Sequence, residues 1–337
     1  MKKLIIFSLF SALTFMMSSC EKAWMTTEPN TSKQAVFEQI WKFADEKYSF
    51  FDYKKIDWNA LKTQYKSRVS ESMSDEDFLK VCDEMLDNLK DGHVNIKTTF
   101  DRTRTWDWFL NAPPNFDKNI ILRNYYKDKQ QFIGGFEYMD FGDVAYVYYG
   151  SFSDDFSKAN LDYIMEKAKG KKGFIIDIRD NGGGSKANVS AIAERFCREK
   201  TKIGQEWNKN GKAHNAFSKA DAYLTPTAGI TKFLDKPVVV LINQRSYSAA
   251  NFFPFTMKAL PNVTLMGDSS GGGGGIPTYT ELSNGWTLRV SSSQTFDNQG
   301  FNIENGVPPT IKIDMTKADM DKGVDTILEA ALKKIRG

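Results

Sequence analysis

Apolar residues in this chain change their spacing several times, and each change marks a different kind of element. Val36, Ile40, Phe43 and Ala44 recur at helical intervals, as do Phe78, Val81, Cys82, Met85 and Leu89, so Ala35 to Leu89 reads as helices with one face each to bury. Ser74 followed by Glu76 and Asp77 predicts the start of the later helix, and Gly92 its stop before Val94-Asn95-Ile96 turns extended. Residues 97 to about 135, with Trp106, Trp108, Pro113 and Pro114 among charges, keep no period and predict strands and a loop. Beyond them, short continuous apolar runs alternate with amphipathic stretches. Val144–Tyr149, Gly173–Arg179, Val238–Asn243 and Val263–Gly267 predict buried strands, and Asp155–Lys169, Ser185–Glu199 and Ser248–Leu260 predict helices between them. Such alternation predicts an α/β core with a mostly parallel sheet. Thr278–Leu282, the Asn284-Gly285 turn and Trp286–Ser292 predict a hairpin, and a last helix runs from about Asp321 to Ile335.

The first 19 residues break the pattern in another way. Lys2 and Lys3, an apolar run from Leu4 to Met17 and small residues before Cys20 read as a secretory leader, too short for a bilayer span. The Ser18-Ser19-Cys20 ending resembles a bacterial lipobox, which makes Cys20 the lipid-modified first residue of the mature protein; the alternative is an ordinary leader with Cys20 incidental. Residues 20–35 read as a polar tether, 36–97 as a helical N-terminal subdomain and 98–337 as the α/β core. The expected location is the cell envelope, on a lipid anchor.

Composition then narrows the function classes. The formal charge is +3 for the whole chain, and removing the leader with its two lysines and no acids leaves +1. No basic stripe survives to bind nucleic acid. Cys82 and Cys197, in separate helix-like segments, read as buried thiols rather than a disulfide. His93 and His214 stand in no Cys/His cluster, so no metal or other cofactor is expected.

One segment concentrates the candidate chemistry. In Pro237–Pro254 a buried strand gives way to a polar turn, Asn243-Gln244-Arg245, then Ser246-Tyr247-Ser248 and a helix, which puts a hydroxyl between a strand's C-terminal end and a helix's N-terminal end. A serine there suits a nucleophile, although it can equally be a plain N-cap. Pro254, six residues on, predicts a kink or a late helix start. Asp180-Asn181-Gly182-Gly183-Gly184-Ser185-Lys186 also joins a strand to a helix; it lacks the phosphate-loop pattern, and its bare N–H groups suit an oxyanion hole or merely a tight connection. Gly271–Gly275 could be a flexible lip of a cleft or a linker. His93, at a helix-to-strand junction, could be purely structural.

These pieces, taken in order, resemble a family. LKDGHV at 89–94, DIRDNGGG at 177–184, Ser246-Tyr247-Ser248-Ala249, the Gly267-Asp268 turn and IENGVPP at 303–309 are similar to motifs of the tail-specific (C-terminal-processing) serine peptidases and the tricorn catalytic core. The resemblance runs from roughly Val36 to Ile335. It implies a helical subdomain followed by a core of the Clp protease and crotonase type. The interval from Ile96 to Val144 is too short for the PDZ domain many members carry, and Gly271–Gly275 lacks the lysine base of the tail-specific branch, so the tricorn-like branch is implied. By that resemblance Ser248 is the nucleophile, His93 the base and Glu304 the third member, with Ala249 and Gly183 giving oxyanion N–H groups; Ser246 is out of register. Gly92 stands where tricorn has a serine linking the glutamate to the histidine. The implied activity is hydrolysis of peptide or protein substrates, titrating near pH 6 to 7. The alternative is a non-catalytic ligand-binding lipoprotein on the same fold.

Overall fold

The computed structural model describes residues 29–105 and 111–337; the leader, Cys20, Trp106 and Trp108 lie outside the described residues. Its N-terminal part is helical for local reasons. Ser32 caps the helix Lys33–Lys47, which buries Val36, Phe37, Ile40 and Ala44. Ser74 caps Asp75–Asp87, whose first turn holds three acids where the helix dipole favours them. This second helix stops earlier than Gly92. Asn88 is its C-cap, and the chain reverses at Lys90, which has a left-handed φ of 45°, leaving Gly92 with ordinary backbone in the turn that follows.

Strand β1 (Asn95–Lys97) leaves that turn. Residues 118–126, expected as strand or loop, form a helical turn, Lys118–Ile120, that continues in a wider π-type winding over Ile121–Tyr126; Ile121 and Tyr126 are buried, and packing decides where periodicity did not. Next come β2 (Gln131–Ile133), β3 (Phe136–Asp140), β4 (Val144–Tyr148), β5 (Gly173–Asp177), β6 (Thr201–Lys209), β7 (Phe217–Leu224), β8 (Val238–Ile242) and β9 (Val263–Gly267). The chain ends with β10 (Pro277–Glu281), β11 (Thr287–Ser291), β12 (Ser293–Asp297), β13 (Ile311–Lys312) and the helices Lys317–Asp321 and Thr326–Arg336.

Seven strands form the central sheet, in the order β13-β9-β8-β5-β4-β3-β2. Pairing is parallel from β4 through β5, β8 and β9 to β13, and antiparallel at the β2–β3–β4 edge. All five residues of β8 are buried, as a strand covered on both faces requires. Lys158–Ala168, Lys186–Ala193 and Ala249–Met257 supply apolar side chains to one layer, and Thr326–Arg336 supplies the other. A separate antiparallel sheet, β12-β6-β7, contains a long hairpin that no period announced.

The helical part does not close its core alone. β10 and β11 form the expected hairpin, β1 pairs antiparallel with β11, and Leu282, Trp286, Leu288 and Val290 pack among Val36, Ile40, Phe78 and Met85. By this strand pairing, the segment that follows His93 is fixed to residues nearly 200 positions later. Cys82 and Cys197 are both free and buried.

Candidate active site

β8 ends at Ile242, and four hydrogen bonds convert its end into a fixed turn. Ser246 Oγ donates to the Ile178 carbonyl at 2.8 Å and accepts from the Asn243 N–H at 3.2 Å, so this serine holds the turn to the neighbouring strand's end. Tyr247 N–H donates to the Asn181 carbonyl, and Ser248 N–H to the Gly272 carbonyl at 2.9 Å. Ser248 itself has φ 58° and ψ −118°, a left-handed backbone that a non-glycine residue adopts only when its surroundings impose it. It precedes the helix Ala249–Met257 but makes no side-chain cap. Its hydroxyl instead meets His93 Nε2 at 2.9 Å. That helix starts at Ala249 and runs through Pro254, ending three residues after it, so the late start expected from the proline does not occur.

His93 is brought there by a short-range device. Asp91 Oδ1 accepts the His93 N–H at 2.8 Å, an Asx turn that folds Asp91-Gly92-His93 back on itself. Both Asp91 and His93 are nearly fully buried, and the imidazole sits 5.0 Å from the Tyr247 ring, centroid to centroid. Burial pushes the imidazole down to about 4, while the Asp91 charge works in the opposite direction. His93 is therefore neutral at ordinary pH. The Gly275 backbone contacts the ring and favours its charged form, and Asp91 faces the Tyr48 hydroxyl.

Glu304 is buried at the same place without touching the ring. Oε1 accepts from Lys54 Nζ at 2.8 Å and Oε2 from the Gly274 N–H at 3.0 Å. Lys54 also donates to the carbonyls of Leu89 and Lys90, at 3.0 and 3.1 Å, so one ammonium ties Glu304 to the segment that delivers His93. The link that Gly92 leaves open between Glu304 and His93 is therefore not a direct one: the carboxylate is taken by Lys54 and the Gly274 N–H. Burial, followed by the Asp91 charge, lifts the Glu304 carboxyl to about 7 against the pull of Lys54 and the Gly274 N–H. Asn251, on the Ser248 helix, donates to the Ile303 carbonyl at 2.9 Å and fixes the Glu304 turn to the serine's own helix.

The glycine run is no linker: Gly271 and Gly273 line a cleft, as one of the two expectations had it, but the run is packed rather than free. Gly272 to Gly275 are buried, threading between Ser248 and Glu304, and a Cβ at Gly272 would lie 2.1 Å from the Glu304 carbonyl oxygen. Glycine is required there because backbone meets backbone. At the other turn, a Cβ on Gly183 would lie 2.8 Å from the Ser248 Cβ, so this residue packs directly on the serine. Its N–H, expected to face an oxyanion, donates to Asn181 Oδ1 at 2.9 Å instead. Among the described residues the N–H groups of Gly182 and Ala249 have no such partner. On the Glu304 side of Tyr247 opens a cleft of about 440 Å³, with Asp91, Thr105, Tyr247, Gly273 and Glu304 in its wall. His214 takes no part: it stacks on Phe51 and bonds Asp45 at 2.9 Å.

Sequence reasoning missed Asp91 and Lys54. Asp-Gly-His carries an Asx-turn signal that could have singled out Asp91; nothing local marks Lys54, on a four-residue helix 250 positions from Glu304.

A serine and a neutral histidine in hydrogen-bond contact at the C-terminal edge of a parallel sheet define an α/β protein equipped for acyl transfer. The chain belongs to peptidase family S41, whose family model matches residues 143–313, and residues 29–87 match the tricorn protease C1 domain. A crystal structure of a candidate peptidase from Parabacteroides merdae is 39% identical over 91% of this chain and 98% of that one, with a TM-score of 0.86. Carboxy-terminal processing protease CtpA of Bacillus subtilis is 29% identical over 168 residues, 49% of this chain but only 34% of that protein. The crystal structure of the tricorn protease shares the fold, at 16% identity and a TM-score of 0.56 over 91% of this chain and 37% of that one.

Proposed function

We propose that this chain is a serine-type peptidase acting on peptide or protein substrates, with Ser248 as nucleophile and His93 as general base. The observation that carries the reading is the 2.9 Å contact between Ser248 Oγ and His93 Nε2 on a serine held at left-handed φ. His93 is neutral and can take the hydroxyl proton as Ser248 attacks a peptide carbonyl, then return it to the leaving amine. A water activated by the same nitrogen releases the acyl group. The Ala249 N–H is the natural oxyanion donor. Gly182, whose N–H is unengaged, is a better second donor than Gly183, whose N–H would have to leave Asn181. Asp91 and Glu304 supply negative charge near the imidazolium that forms, with Lys54 fixing where Glu304 can stand.

The lipobox-like leader supports a place at the cell envelope, anchored through Cys20. A non-catalytic binding protein is the second reading, favoured by one observation: the Glu304 carboxylate is held by Lys54 and the Gly274 N–H and, among the described residues, makes no bond to the His93 ring. Labelling the mature protein with a fluorophosphonate and mapping the adduct separates the two. A modified Ser248, lost in Ser248→Ala and His93→Ala, is the expected result; folded protein with no adduct at Ser248 gives the binding reading.

A further inference from the structure

Near His93 the protein gathers three arginines, Arg289, Arg102 and Arg104, that make no ion pair among the described residues. Arg289 lies on β11 in register with Asn95, two residues past His93, on one side and with Tyr279 on the other. Strand alternation sends its neighbours Leu288 and Val290 into the helical core and Arg289 to the opposite face. Among the described residues its guanidinium makes no ion pair and no hydrogen bond, although its Nε is buried; its recorded contact is the Tyr279 ring, 5.6 Å from Cζ to centroid. Arg102 and Arg104 likewise have no ion pair or side-chain hydrogen bond among the described residues. Arg102 is close enough to Arg289 and Arg104 for their charges to oppose its own. Arg289 also acts on the His93 ring and on Tyr247, which lines the cleft, while Thr105, adjoining Arg104, lines it as well.

Three guanidinium groups beside one another, without an ion pair among the described residues, repel one another. A carboxylate bound among them would relieve that repulsion and satisfy the buried Nε, in the planar two-point geometry that arginine offers. We propose that Arg289, supported by Arg102 and Arg104, forms a carboxylate-binding subsite that anchors an acidic group of the substrate beside Ser248 and His93. The subsite deepens the peptidase reading and rests on it for the word substrate. The bound anion also cancels the positive charge that opposes imidazolium formation, so an acidic substrate would improve the base that cleaves it.

The test uses matched peptides in two pairs: a free C-terminal carboxylate against its carboxamide, and an internal Glu against Gln. The ratio of kcat/KM within each pair is read for wild type, Arg289→Gln and the exposed-site variant Arg102→Gln. The expected result is a preference of about tenfold or more for the acid in one pair, as loss of a charge-assisted contact implies, falling to about one in Arg289→Gln and part of the way in Arg102→Gln. Whichever pair carries the preference identifies the source of the carboxylate. Equal rates within both pairs in wild type, or a preference that survives both substitutions, overturns the subsite. If Ser248 takes no phosphonate adduct, the peptidase reading fails separately. The subsite is then tested by fluorescence anisotropy with the same labelled peptides on Ser248→Ala, where acid-selective binding lost on Arg289→Gln supports it and binding indifferent to the carboxylate refutes it.

Discussion

Two clusters of buried charge sit at the C-terminal edge of the same sheet, and they are finished to different degrees. Around Arg179 the cation is fully engaged: Asp177 Oδ1 accepts from Nε at 2.9 Å, Asp325 pairs at 2.9 Å, the Asn115 carbonyl takes another N–H, and Tyr146 donates its hydroxyl to Asp177. One cation faces two carboxylates, all fully buried, and the Asp325 side chain also caps the last helix. Around Lys54 one cation again faces two carboxylates, Glu304 and Asp91. Here, however, the carboxyl of Glu304 is pushed up to about 7, into the range where a proton is readily exchanged. A cation locked between two ionised carboxylates fixes one arrangement. A carboxyl raised toward neutrality leaves a proton free to move, which is what acid–base chemistry requires and stability does not.

The largest effect expected from breaking this contrast is at the serine and its base. Ser248→Ala and His93→Ala should each lower peptide cleavage by on the order of 10⁴-fold or more, and the double variant by little more than either, because the two act as one unit. Thermal unfolding should change little in Ser248→Ala. His214→Ala should keep turnover within a few-fold of wild type, since its bonds are to Asp45 and Phe51. Additive losses in the double variant would mean that the 2.9 Å contact does not operate in catalysis.

Arg179→Met tests the satisfied cluster. It leaves Asp177 and Asp325 buried without their cation, and the expected loss is about 3–5 kcal/mol of folding stability, read from denaturant unfolding. Protein that remains folded should still take a phosphonate at Ser248. An unfolding midpoint equal to wild type would show that this network is not what joins β5 to the last helix.

Strand-turn-helix chemistry was legible in the sequence because it is local. The run Val238–Ile242 followed by Ser246-Tyr247-Ser248 identifies the sheet's C-terminal edge, and the family resemblance then selects Ser248 and His93, which the fold brings to 2.9 Å. What escaped was fixed by tertiary packing. The resemblance made Glu304 the third member and left its link to His93 open, because which cation or ring a buried carboxylate meets depends on a short helix, Phe51–Lys54, placed by the aromatic contacts of Phe51 and Tyr48. The hairpin of β6 and β7 is half-exposed on both faces, so neither periodicity nor burial marked it. Gly271–Gly275 read as a flexible lip or a linker because composition cannot distinguish a run that is free from one compressed between two backbones.

Lys54→Met asks whether the unfinished cluster depends on its cation. The substitution removes three hydrogen bonds, to Glu304, Leu89 and Lys90, and leaves the Glu304 carboxyl to take up a proton. Cleavage at pH 7 should fall by about 10- to 100-fold, mostly in kcat, because the turn that carries His93 loses its anchor. Lys54→Arg, keeping charge, should recover part of it. A loss confined to KM, or a stability loss with unchanged kcat, would make Lys54 a structural residue.

The smallest effect, and the one that separates two groups hard to tell apart, comes from Glu304→Gln. An unperturbed histidine would give an acid limb between pH 6 and 7, the range the sequence alone suggested. Burial moves His93 to about 4 and Glu304 to about 7, so the two groups have exchanged their usual order. The sign follows from what each must be to help. His93 acts when neutral, so its limb should lie near pH 4, with activity lost below it. Glu304 helps when ionised, because its anion stabilises the imidazolium of the transition state, so activity should rise as pH climbs through about 7. With no direct bond to the ring, that rise should be modest, about three- to tenfold, the size of a charge interaction across a short gap. The log kcat/KM profile of wild type should therefore show a small step near pH 7 above a steep limb near 4. Glu304→Gln should erase the step and keep the limb. A single steep limb near 6.5 that survives Glu304→Gln would assign the titration to His93 after all, and with it a ring far better solvated than its burial against Tyr247 implies.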